Sequence, residues 1–86
     1  MEEIEVGAVA DYFQKIGVVA IKVTEEGIRT GDTLRFKGHT TDFTHRIESM
    51  QIEHDEVEEA PPGSNVGIKV PRRVRVHDQV FKVVGE

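Results

Sequence analysis

Cysteine is absent from the 86 residues, so neither disulfides nor thiolate metal sites are available. No stretch approaches the roughly 20 apolar residues that a membrane helix requires. Met1-Glu2-Glu3 is acidic and lacks the basic n-region of a secretory leader. Together these absences predict a cytoplasmic protein with no membrane association. A sustained helical period is missing too. Aromatic residues are few: Tyr12, Phe13, Phe36, Phe43 and Phe81. Most are needed for a core, which leaves little for stacking on nucleic-acid bases.

What is present suits a small folded domain. Hydrophobic residues make up 37% and charged residues 31%, outside the range of disordered chains. A chain of this length forms one domain, here residues 1–86 with a core of about 4–84, burying roughly 60% of its unfolded surface.

Turn chemistry divides the chain into short β-prone runs. Apolar residues recur from Ile4 to Phe13, and Lys15-Ile16-Gly17 ends the run. Val19, Ile21 and Val23 alternate on one face, as do Leu34 and Phe36, and later Val66, Ile68 and Val70. The breaks fall at Thr24-Glu25-Glu26-Gly27, Thr30-Gly31-Asp32, Gly38–Asp42 and Pro61-Pro62-Gly63. Pro presets φ and Gly supplies backbone freedom, so the last of these reads as a tight reversal. Further strands are expected at Val74–Val76 and Val80–Val84. Phe43, His45 and Ile47 share one parity, whereas Met50 and Ile52 take the other. A β-bulge near Glu48-Ser49 in one long strand from Phe43 to about Glu53 resolves the conflict; two strands with a kink are the alternative. Regular strand spacing predicts an all-β fold, a small closed antiparallel β-barrel of Greek-key type, because closure removes exposed edges. Leu34, Phe36, Ile47, Met50, Val66, Ile68, Val74, Val76 and Phe81 are expected to line its interior.

Chemistry-bearing constellations are sparse. His39, His45, His54 and His77 show no zinc-ligand spacing, and His54 among Glu53, Asp55 and Glu56 reads as a solvated loop. Ser49 and Ser64 lack the glycine pattern of a nucleophile elbow. No metal, no cofactor and no catalytic residue is expected.

Charge is unevenly placed. The net charge is −5. Residues 47–64 hold six carboxylates and no Lys or Arg, whereas residues 65–86 carry five basic against two acidic residues. Arg73 and Arg75 share one face of an extended segment, which Lys69 continues, and the guanidinium fork suits phosphate. Two readings stay open: these arginines pair with the acidic 53–59 loop, or they contact RNA phosphates.

Several pieces together resemble a known domain. They are Val6-Gly7, Gly27-Ile28 with Gly31-Asp32-Thr33-Leu34, Ile47 with Ser49-Met50-Gln51, then Val57, Ala60, Gly63 and Val66-Gly67-Ile68. In order and spacing, from about Val6 to Val84, they resemble the second, β-barrel domain of the translation GTPases, the domain that follows the G domain in elongation factor Tu. That barrel helps to hold the aminoacyl end of tRNA or rests on ribosomal RNA. Asn65 agrees with the family's polar residue beside the aminoacyl pocket. Ser49, Gln51 and Ile52 stand where that family carries charged or imidazole residues, so the charged part of the pocket is absent. No Gly-x-x-x-x-Gly-Lys-Ser/Thr loop is present, so GTP is neither bound nor hydrolysed. The resemblance implies a stand-alone, non-enzymatic module that binds tRNA or ribosomal RNA weakly through Lys69, Arg73 and Arg75, with Asn65, Ser49 and Gln51 nearby. The alternative is a protein-interaction or accessory barrel, of the kind appended to collagenase-like peptidases.

Overall fold

Side chains that alternate between core and surface mark most of the strands that carry the core. A computed structural model describes residues 2–24 and 26–84. In chain order the strands are β1 (Glu2–Phe13), β2 (Val18–Val23), β3 (Ile28–Arg29), β4 (Thr33–Lys37), β5 (Asp42–Arg46), β6 (Met50–Ile52), β7 (Asp55–Val57), β8 (Glu59–Ala60), β9 (Asn65–Lys69) and β10 (Gln79–Val84). All pairings are antiparallel, and the described residues contain no helix, hence none long and apolar enough to cross a membrane.

Val19, Ile21 and Val23 of β2 are fully buried, as are Leu34 and Phe36 of β4, while Val66 and Ile68 of β9 are almost so. Their registers explain this shared face: Val19 lies opposite Ile68 and Ile21 opposite Val66. Phe36 stacks on Phe43 across the β4–β5 pair, with ring centroids 5.1 Å apart. The reversal at Pro61-Pro62-Gly63-Ser64 is a type II turn: Ser64 N–H donates to Pro61 O at 3.2 Å and Gly63 has φ 92°, the left-handed conformation that glycine adopts without strain.

Four sequence expectations are corrected. The barrel is not closed. Eight strands form one sheet in the order β5-β4-β10-β1-β2-β9-β6-β7, and β3–β8 form a separate pair. The Thr30–Asp32 turn stands between the two sheet edges. Thr30 N–H donates to Glu58 O at 3.0 Å, Gly31 N–H to Ile47 O at 2.9 Å, and Ile47 N–H to Asp32 O at 2.9 Å. Hydrogen bonds that closure would use between strands are made to this loop instead.

Second, the parity change between His45 and Met50 is met not by a bulge but by the alternative, a break between two separate strands. β5 pairs with β4, and β6 pairs with β7 and β9, so the chain leaves one edge and enters another part of the sheet. Ile47 and Met50 are both buried across that break. The register shifts sit in β1, at Glu5/Gly7 and Val9/Asp11. A period of two would send Val6 and Val9 to opposite faces, yet both are buried.

Third, Val74–Val76 is not a strand. Val74 is buried, but Val76 is 46% exposed. Fourth, β10 places Val80 in the core and leaves Phe81 only half-buried, opposite Arg35.

Candidate interaction surface

The residues from Val70 to Asp78 form a strap linking β9 to β10, and its shape follows from local chemistry. Val70 N–H donates to Gly17 O at 2.9 Å, continuing the β2–β9 ladder by one step. Pro71 then has no donor to continue the ladder. Val74 is only 2% exposed and anchors the strap to the core. Asp78 closes the strap: its Oδ2 accepts from Arg75 N–H at 2.9 Å, and its own N–H donates to Arg75 O at 3.1 Å. His77, at φ 79°, donates its N–H to Val9 O, and Val9 N–H returns a bond to Asp78 O, both at 2.9 Å. The last turn is thus tied to Val9 of β1 by two backbone hydrogen bonds, although the strap itself forms no strand.

This anchoring leaves Arg72, Arg73 and Arg75 exposed. Arg72 and Arg73 border a hollow of about 470 Å³ whose other wall is Gly38–Phe43. Lys69 and Ser49 border a second hollow, of about 260 Å³, with His45, Glu48, Val70 and Pro71. The structure therefore brings Lys69 together with Ser49 and sets Arg73 beside the neighbouring hollow. Asn65 lies at the other end of β9, opposite Lys22, about 13 Å from Lys69 along the strand. Gln51 is exposed in β6, opposite Gly67 and Glu56. Arg75 sits on the Asp78 turn, and neither hollow includes it.

Ion pairs fall elsewhere. Arg35 donates Nε and Nη2 to the two carboxylate oxygens of Asp42, both at 2.9 Å, and Nη1 to Glu3 Oε2 at 2.7 Å. The Asp42 hydrogen bonds, then the one to Glu3, hold the Arg35 guanidinium well above its ordinary range. The Arg35 hydrogen bond holds the Asp42 carboxyl below its usual value. Such a fork-to-fork pair fixes geometry as well as charge. Arg29–Glu59 at 3.4 Å and Lys82–Asp32 at 3.9 Å complete the salt bridges among the described residues. None joins Arg72, Arg73 or Arg75 to the 53–59 stretch, so that pairing is not formed.

No group of three or more His, Cys, Asp or Glu residues among the described ones could hold a metal ion. His45, Glu48 and Ser49 share a hollow, yet no hydrogen bond joins them among those the described residues make. A serine nucleophile needs a base in hydrogen-bond reach.

Sequence reasoning missed Asp78, Asp42 and the β5 edge. His77-Asp78 reads as a strand separator, although an aspartate three residues after Arg75 is a usable signal for a side chain returning to backbone N–H. Nothing in the linear pattern marks Asp42 as the partner of Arg35, because that pairing depends on the β4–β5 register.

Comparison with known proteins sets these features in context. No family model matches the chain. It is 36% identical over 80 residues to an uncharacterized protease of Methanocaldococcus jannaschii, a match covering 92% of this chain and 19% of the relative. It is 28% identical over 82 residues to a collagenase of Porphyromonas gingivalis, covering 94% of this chain and 20% of the relative. The chain thus spans about a fifth of the length of these curated relatives. Among solved structures, the C-terminal domain of a candidate U32 peptidase of Geobacillus thermoleovorans superposes with a TM-score of 0.85 at 27% identity. That match covers 95% of this chain and 93% of the solved one.

These matches overturn the translation-factor reading and the RNA-binding role attached to it. Elongation factor 1-alpha of Natronomonas pharaonis is 38% identical over only 56 residues, 64% of this chain and 13% of the factor. The pieces that suggested a translation factor, such as Gly31-Asp32 and Val66-Gly67-Ile68, are turn and strand residues. They specify how the chain folds and not what it binds.

Proposed function

We propose that this chain is a non-catalytic accessory module of a collagenase-like peptidase system, acting in the cytoplasm by holding a protein partner. The observation that carries this reading is the near end-to-end superposition on a separately solved U32 peptidase C-terminal domain, with more than nine-tenths of each chain covered. The described residues add support. His45, Glu48 and Ser49 are unlinked, and no acidic or imidazole cluster is placed for a metal. A fold alone does not assign chemistry, so the role rests on what the surface can bind.

The test is hydrolysis by the purified chain of gelatin and of short collagen-like peptides, with and without divalent cations. No turnover is expected. Turnover that persists through repurification and disappears in Ser49→Ala or His45→Ala would overturn the proposal. Co-elution of the chain with a peptidase body on size exclusion is the positive counterpart.

A further inference from the structure

β5 is the terminal strand of the eight-stranded sheet and pairs only with β4. Among the described residues no other backbone hydrogen bond is made by Asp42–Arg46, so alternate N–H and C=O groups of this strand face outward unpaired. An open edge of five residues is long enough to accept another strand. The strap runs alongside it. One hollow is bounded by His45 and Lys69, and the next by Asp42, Phe43, Arg72 and Arg73. None of these three cations takes part in a salt bridge among the described residues. Asp42 is already engaged by Arg35 on both carboxylate oxygens, leaving Glu48 as the unengaged carboxylate of the two hollows.

We propose that the free edge of β5 takes an extended acidic peptide as an added strand, with peptide carboxylates held by Lys69, Arg72 and Arg73. Main-chain pairing supplies affinity and the cationic wall supplies selectivity. A polyanion without a peptide backbone can accept from the outward N–H groups but brings no donors spaced to meet the outward C=O groups. A second copy pairing through its own β5 brings the same three cations, which sets like charges together. The inference deepens the accessory-module reading by giving it a binding face, and it stands or falls apart from the hydrolysis test. Loss of peptide binding would overturn it whether or not the chain proves catalytic.

The probe is a fluorescein-labelled octapeptide, Glu-Val-Glu-Val-Glu-Val-Glu-Val, titrated with the full chain at low salt and followed by anisotropy and amide NMR shifts. Saturable binding with shifts across Asp42–Arg46 is the expected result. Arg72→Ala with Arg73→Ala should weaken it about fivefold, through the loss of two exposed charge pairs. The same peptide N-methylated at every residue leaves the protein unchanged but removes the N–H donors of both its edges, and it should not bind. Equal binding by the N-methylated peptide, absence of β5 shifts, or no saturation would each overturn the proposal. So would displacement by a single-stranded oligonucleotide at equal charge, or a concentration-dependent oligomer abolished by the arginine substitutions, which would make a second copy the occupant.

Discussion

Asp78 and Arg75 bond to each other twice: Arg75 N–H donates to Asp78 Oδ2 at 2.9 Å, and Asp78 N–H donates to Arg75 O at 3.1 Å. Asp78 is only 6% exposed, so its removal strands a part-buried N–H. Asp78→Ala is expected to cost about 1–3 kcal/mol, read as a lower urea midpoint with an unchanged slope. Asp78→Asn, which keeps the acceptor oxygen, should recover most of the loss.

Gly38 and Gly7 are each closed in, but by different things. A Cβ at Gly38 would run into the Asp78 carboxylate, whereas one at Gly7 would run into the main-chain carbonyl of Lys22. Gly38→Ala should destabilise by about 1–3 kcal/mol. Combined with Asp78→Ala, it should add less than its single-variant cost, because the obstructing group is gone. Gly7→Ala has no such rescue, and Asp78→Ala should add to it in full. Denaturation of the three single and two double variants measures both couplings.

The Arg35–Asp42 pair predicts a pH dependence with a definite sign. Arg35 lowers the folded-state pKa of Asp42. Its contribution is therefore fully present above the unfolded aspartate value and is lost as pH falls through the depressed folded value. Asp42→Asn should be less stable than the wild type at neutral pH, and the gap should close in the acid range. Urea midpoints across that range check this, and added salt should narrow the neutral-pH gap.

Val74 and Val76 test the strap directly. Val74 is 2% and Val76 46% exposed. Val74→Ala should cost about 2 kcal/mol, from two lost methylene equivalents plus the cavity they leave. Val76→Thr should stay within about 0.5 kcal/mol of the wild type. Equal costs at the two positions would mean that the strap is a strand after all.

Local alternation was enough to identify the buried face of β2, β4 and β9, and glycine or proline was enough to mark the reversals at Gly17, Gly31 and Gly63, all at positive φ. These are short-range properties: a side chain's face and a turn's dihedral angles are set within a few residues. The loop at His54 was legible but not the strand β7 that returns from it, because Glu53 and His54, not glycine, adopt the positive φ of that hairpin turn. Sheet closure, the β5–β6 break and the inward turn of Val80 in place of Phe81 could not be read locally, since each depends on which distant edge is available for pairing. The candidate surface shows the same division. Lys69, Arg73 and Arg75 stand out in the sequence as a basic face, but tertiary structure sets Arg72, not Arg75, beside Lys69 and Arg73 along β5. The Thr30–Asp32 turn occupies hydrogen bonds between the sheet edges, β5 stays open, and the Asp78-closed strap lays the cations beside it. Charge and periodicity reside in the chain itself; which strand edge is left without a partner is decided only when all the strands compete for one another.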